Sequence, residues 1–309
     1  MTAGPRHLKG YFALLIATVF WGCSVVAARV LMKEVPPVAL SHFTAIVCAS
    51  VILGVLALLK PALLRVERQD LLRFAALGTF GFAAGSTLIN LAINRTSAAT
   101  AVTLQYLAPV LTLCWDRWRG TERLNGWKVT AIVLSILGCG LTVGLFQGGF
   151  VYDPIGVAAA LGAAVSFAFV AVYSKPIASR YDPAAVAGLT FAVTSGVLFL
   201  VHPAGELAVA WSSPRLLLLL LGFAVFLGVL PPLFFFYGLR TVTATAATII
   251  TSGEIVVAAG LAWGLLGESM GPLQMLGGAM VISAVVLIER SREDVDGVAP
   301  EAPVPAREP

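Results

Sequence analysis

Apolar runs of about twenty residues recur along almost the whole chain. They lie near 10–31, 38–59, 71–93, 97–115 and 126–146, and again near 155–177, 183–202, 215–238, 243–265 and 271–288. At 1.5 Å rise per residue, about twenty residues cover the ~30 Å hydrocarbon thickness of a bilayer. In lipid the backbone of such a run must pair its own polar groups, which a helix does within one segment, whereas a barrel strand needs only ~10 residues. The runs predict an all-α integral membrane protein of about ten transmembrane helices. Composition agrees, with 59% of 309 residues hydrophobic and 12% charged, against about a quarter charged in a soluble domain. No connection is long enough to hold an extramembrane domain.

Charge fixes the expected orientation. Of the 20 Lys and Arg residues, Arg29, Lys33, Arg95 and Arg215 fall on one side of this path and the other sixteen on the side of both termini. The positive-inside bias makes that richer side cytoplasmic, as for a multi-pass protein of the bacterial inner membrane. The net charge of +4 reads as a topogenic signal, and no basic patch or docking motif points to nucleic acid. Arg6 and Lys9 before the first run also fit a secretory signal with Val26-Ala27-Ala28 as a loose cleavage site, but the repeat described next claims that run as a retained helix. Residues 290–309 have the Pro-rich, acidic composition of a disordered cytoplasmic tail.

Sliding the chain against itself gives one spacing that works without gaps. Gly10 falls on Gly156, and at the same spacing Arg29 falls on Lys175, Pro37 on Pro183, Thr44 on Thr190, Ala98 on Ala244 and Glu122 on Glu268. The expected organisation is a first repeat over 10–146, a linker at 147–155 and a second repeat over 156–289. Five helices per repeat is an odd number, so the second copy enters the membrane from the opposite side, giving two inverted five-helix repeats.

The segment from INRTSAATAVTLQYLAP to KVTAIVLSILG, and its counterpart from GLRTVTATAATIITSGE to GGAMVIS, resemble the end of the EamA repeat of the drug/metabolite transporter superfamily. The resemblance covers nearly all of 10–289, and its most specific parts are the Tyr-Leu-x-Pro of Tyr106 to Pro109 and the Gly-x-Glu of the loop after the helix. It implies two inverted halves around a central cavity that moves amino acids or other small metabolites, similar to bacterial exporters. One departure stands out. The second copy usually reads Glu-Pro where this chain has Glu254-Ile255, which retains the carboxylate and puts the kink in doubt.

Glu254 sits mid-segment, where insertion scales make an acid about 2.5–3.5 kcal/mol unfavourable, so it should face the bundle interior, be paired or be protonated. At 100° per residue Thr248, Thr251 and Ser252 share its face, a face expected to line a wet cavity. A carboxyl there is the candidate proton-coupling group; the alternative is a structural carboxyl bonded to neighbouring hydroxyls. Trp21 and its register partner Phe167 lie at unusual depth for aromatic residues, as cavity walls or as simple packing. Asn90, Gln105 and Tyr106 are further polar groups at membrane depth, as substrate contacts or interhelical clamps. Arg29 and Lys175 are expected to snorkel to the headgroups, with a gating or substrate-carboxylate role as the alternative, Arg240 to anchor the cytoplasmic end, and Glu122 and Glu268 to cap helices. Pro231-Pro232 is expected to interrupt the eighth run, and the Gly81–Gly85 and Gly260–Gly264 pairs to pack helices closely. Cys23, Cys48, Cys114 and Cys139 show no disulfide or zinc spacing and read as small buried residues.

The leading expectation is a secondary transporter of a small metabolite within the lipid bilayer, most simply an exporter of an amino acid or related compound, with proton coupling open and oligomeric state undetermined. A lipid-carrier flippase or a channel is the alternative, and an intramembrane enzyme the remote one. No HExxH, GxSxG or GxxxxGK[ST] occurs, so neither a catalytic centre, a metal nor an ATP site is expected, and no cofactor. Reporter fusions after residues 35, 66, 120 and 150 should report outside, inside, inside and outside; any other alternation overturns both the topology and the inverted repeat.

Overall fold

The computed structural model describes residues 5–96, 98–120, 125–145, 153–202, 204–266 and 271–296. Every regular element among them is helical. They are α1 (Pro5–Leu31), α2 (Pro37–Leu59), α3 (Arg68–Arg95), α4 (Ala98–Gln105), α5 (Ala108–Trp118) and α6 (Gly126–Thr142). There follow α7 (Pro154–Arg180), α8 (Pro183–Val201), α9 (Pro214–Leu239), α10 (Ala244–Ser252), α11 (Glu254–Leu266) and α12 (Pro272–Asp296). Seven spans among the described residues are long and apolar enough to cross a membrane, taking α10 and α11 together, and Gly126–Thr142 and Pro272–Ile288 are shorter apolar helices. Glu122, Glu268 and most of the 147–155 linker lie outside the described residues. α12 continues past residue 289 to Asp296, so the predicted tail begins as helix.

Local chemistry starts these helices where they start. Asn125 accepts from the Lys128 amide at 2.9 Å, Asp153 from Gly156 at 2.7 Å, Asp182 from Ala184 at 2.9 Å and Thr243 from Ala246 at 3.2 Å. Each caps an N-terminal N–H that has no intrahelical partner. Leu58 and Leu200 are 84% and 85% exposed, as side chains facing lipid should be. With lipid outside, helix association rests on close packing of small residues. A Cβ on Gly138 would lie 2.7 Å from the Gly277 carbonyl oxygen, and one on Gly277 2.6 Å from that of Gly138, so α6 and α12 meet backbone to backbone. Gly81 and Gly85 pack on Val170 and Ser166 of α7 as expected. Gly260 and Gly264 do not, since nothing lies near either; α11 turns that face away from the bundle.

The internal spacing reappears in three dimensions. α3 widens to i→i+5 turns over Leu77–Ala83 and α9 over Phe223–Val229, the same register positions. Such a turn loosens the backbone pairing. The Thr194 hydroxyl donates to the Gly78 carbonyl at 3.1 Å, and the Cys48 thiol reaches the Ala224 carbonyl at 3.8 Å. Thr194 is the register partner of Cys48, and Ala224 that of Gly78, so one contact is the other with the halves exchanged. Likewise Gly10 lies against Thr241 and Val242, while Gly156 lies against their register partners Arg95 and Thr96. Pro231 and Pro232 do not unwind α9: the wide turn precedes them and α-helix resumes at Leu230. Because α3 widens without prolines, the prolines are not the cause.

One end of the bundle is fastened by charge. Asp70, 1% exposed, accepts from Arg180 at 2.7 Å, the Tyr181 hydroxyl at 2.7 Å and Arg73 at 2.9 Å. The register partners of Asp70 and Tyr181 at the opposite end are Leu216 and Val35, which share an apolar cluster. Lys175 and Arg240 also belong to the charged end. Lys175 donates to the Val242 carbonyl at 2.6 Å and Arg240 to those of Ala178 and Tyr181 at 2.9 and 3.0 Å. The snorkelling expected of Lys175 gives way to this inward bond because a loop carbonyl lies within reach. Cys48 and Cys139 are buried, but Cys114 is exposed, correcting its assignment to the interior.

Gly277→Ala should destabilise by about 1–3 kcal/mol through forced separation of two backbones, whereas Gly196→Ala, with open space beside it on α8, should stabilise by about 0.5–1 kcal/mol. Unfolding in mixed micelles checks both; equal effects would contradict the packing described.

Candidate functional site

Two helices break where the halves face each other. α4 ends at Gln105 and α5 begins at Ala108; α10 ends at Ser252 and α11 begins at Glu254. Tyr106 and Leu107 occupy the register of Ser252 and Gly253, so both breaks fall at one position of the repeat. The break in the second half forms at Gly253 without the proline that the family resemblance leads one to expect. Sequence reading placed one span at 97–115 and one at 243–265; Ala244–Leu265 stands as a single span, but each run carries one interruption that the sequence reading did not foresee.

At this junction the Tyr106 hydroxyl donates to Glu254 Oε1 at 2.8 Å. Tyr106 is buried among Cys139, Ile255 and Val281, and Glu254 is half-buried. A carboxylate offers about four acceptor positions, and the phenol takes one. The carboxyl group also begins α11, where helix N–H groups and the dipole favour an anion. α1 lies directly over the break: a Cβ on Gly22 would come within 2.8 Å of the Glu254 carbonyl oxygen, and Thr18 donates to the Ile250 carbonyl at 3.2 Å. Beside Gly22, the Trp21 ring is 5.3 Å from that of Phe235.

The hydroxyl face of α10 serves another purpose than expected. Thr248 meets Thr112 at 3.1 Å and Ser252 meets Ser135 at 2.9 Å, while Thr251 bonds the Ala247 carbonyl at 2.9 Å. All three are almost fully buried. They face protein, and the predicted wet cavity along Thr248, Thr251 and Ser252 is corrected: helix-packing hydroxyls satisfy one another more cheaply than they could in an apolar contact. Asn90 is buried on α3 and makes no side-chain hydrogen bond among the described residues; Gln105 and Phe167 are half-buried. None of these three contacts the Tyr106–Glu254 pair through a hydrogen bond. Asp116 and Thr18 were not singled out by sequence reasoning. Asp116 accepts from the Thr245 hydroxyl at 3.0 Å and is buried because α5 extends to Trp118. Its place one helical turn after Thr112 is the signal that could have found it. Among the described residues no group of His, Cys, Asp and Glu could hold a metal.

The EamA-like transporter family model matches the chain twice, over residues 8–144 and 154–290. The chain belongs to that family. Similar proteins include a probable terminal-alkyne amino-acid exporter of Streptantibioticus cattleyicolor, 28% identical over 91% of this chain and 94% of that protein. The uncharacterized inner membrane transporter YedA of Escherichia coli K12 is 27% identical over 92% of each, and an uncharacterized transporter of Archaeoglobus fulgidus 23% identical over 92% of this chain and all of that one. A crystal structure at 18% identity superposes with a TM-score of 0.79, covering 96% of this chain and all of the other, which establishes the fold. This EamA chain is a multi-span membrane transporter and not an enzyme.

A double-mutant cycle of Tyr106→Phe and Glu254→Gln should show a coupling of about 0.6–2 kcal/mol, the range for hydrogen bonds between membrane helices. Additive effects in a reversible unfolding assay would mean that the pair does not interact in the membrane.

Proposed function

We propose that the chain exports an amino acid or related small metabolite by alternating access, with Glu254 as the group through which a proton gradient is coupled. The observation that carries this reading is the Tyr106–Glu254 pair at two breaks in matching register. A break displays the carbonyl end of one half-helix and the N–H end of the next at membrane depth, and these attract cationic and anionic groups respectively. An amino acid carries both. One relative, named as a probable terminal-alkyne amino-acid exporter, agrees with this substrate class.

The architecture under this proposal is ten spans in two inverted repeats, over 10–146 and 156–289, with α4 and α5 forming one span and α10 and α11 another. The exchanged contacts, Cys48 with Ala224 against Thr194 with Gly78, support a two-fold relation between the halves. So do Gly10 and Gly156. Two halves related in this way can present one central site to either side in turn. Both termini lie in the cytoplasm, on the charge asymmetry. Trp21 and Phe167 form apolar walls, while Asn90 and Gln105 are secondary polar contacts that the cavity reaches in another conformation.

A transported proton needs a site filled on one side and emptied on the other, and Glu254 has an acceptor oxygen beyond the one that Tyr106 engages. Glu254→Gln keeps the size and fixes the group as neutral. In proteoliposomes, with the substrate found by counterflow against an amino-acid panel, this variant should lose pH-gradient-driven accumulation by at least about tenfold, which corresponds to 1.4 kcal/mol, yet retain exchange at equal pH. Accumulation equal to wild type would make Glu254 structural and refute the coupling.

A further inference from the structure

A groove of about 1050 Å³ is lined by α5, α7 and the charged end of the bundle, and none of its lining residues belongs to the Tyr106–Glu254 junction. Its mouth and its depth differ in chemistry. Arg73, Arg119, Lys175 and Arg240 stand at the mouth. Arg119 lies over the Trp115 ring at 5.8 Å and pairs with no carboxylate among the described residues. Arg240 bonds the Ala178 and Tyr181 carbonyls, which satisfies donors without neutralising charge. Lys175 is fastened to the Val242 carbonyl, and Arg73 to Asp70. Asp116 also lines the groove, with its carboxylate engaged by Thr245. The mouth keeps an excess of positive charge even after these pairings.

Below the mouth the lining turns aromatic and then aliphatic. Phe169 and Tyr173 stack at 4.5 Å opposite Trp115, and Val165 and Leu111 lie deeper. From Lys175 to Val165, α7 descends about 15 Å. Trp115 and Val165 are 44% and 57% exposed, so the trough is open along its length. Aromatic rings at this level match the headgroup boundary of a bilayer, with the aliphatic part at acyl-chain depth. A small free anion would use the mouth and leave the trough empty. A chain with a neutral head would use the trough and leave the guanidinium groups without a counter-charge.

We propose that this groove binds one anionic phospholipid of the surrounding leaflet, its phosphate between Arg119 and Arg240 and one acyl chain along Val165 and Leu111. Basic pockets between membrane helices on the positively charged side have the chemistry to hold such headgroups. The assignment is independent of what the protein transports, because it concerns a different surface and a different ligand.

Native mass spectrometry of the purified protein, supplied with phosphatidylglycerol or phosphatidylcholine of identical chains, tests it. Wild type should retain one phosphatidylglycerol and release phosphatidylcholine readily. Arg119→Gln with Arg240→Gln should weaken phosphatidylglycerol binding about tenfold or more, at about 1 kcal/mol per charge. Val165→Trp, a change at an exposed position, should fill the trough and displace the lipid while leaving the mouth intact. Unchanged thermal midpoints in lipid-free detergent would establish that the variants fold. Equal retention of both lipids, or undiminished phosphatidylglycerol binding by the double variant, overturns the proposal. So does a Val165→Trp variant that binds phosphatidylglycerol like wild type while inorganic phosphate competes, since that describes a site for a headgroup-sized anion alone.

Discussion

In a hydrocarbon solvent, a backbone carbonyl that leaves its helical ladder must find a donor within the protein. Much of this structure follows from that requirement. In the widened turns of α3 and α9 the Gly78 and Ala224 carbonyls each receive a side-chain donor from another helix, Thr194 of α8 and Cys48 of α2. At the end of α10 the Ile250 carbonyl is held by the Gly253 amide and takes a second donor, Thr18 of α1. These three irregularities are thus each tied to a side chain on another helix.

The same requirement explains why polar residues at similar depth have different roles. Thr248 and Ser252 find hydroxyl partners on α5 and α6 and become packing elements. Glu254 lies one residue beyond a break, where the helix cannot offer it a backbone partner of the same kind, and takes the phenol of Tyr106. A carboxyl with one strong donor and spare acceptor capacity is chemically available, whereas a hydroxyl bonded on both sides is not.

The apolar helices, the repeat and a paired, inward place for Glu254 were legible because length, spacing and a lone charge in an apolar run are properties of the chain taken alone. The register even carries the positions of the two wide turns and the two breaks. The breaks themselves were not legible: Tyr106-Leu107 and Gly253 are short and mostly apolar, and leave hydropathy unchanged. Nor was the face that α10 turns to its neighbours, since Thr112, Ser135 and Thr18 become its partners only once four helices are assembled. Lys175 looked like a snorkelling lysine because the Val242 carbonyl is distant in sequence. The open flank of Gly260 and Gly264 shows the converse: a spacing that permits close approach does not supply a neighbour.

The Asp70 fastening has a counterpart only in position. Where one end of the bundle holds Asp70 against Arg180 and Tyr181, the other holds Leu216 near Val35. Separating the first parts charges that dissolved salt screens; separating the second wets hydrocarbon, a cost that weakens on cooling. The two ends of this molecule therefore respond to different variables, ionic strength at one and temperature at the other. A chain built from two copies of one plan thus has two thermodynamically unlike ends.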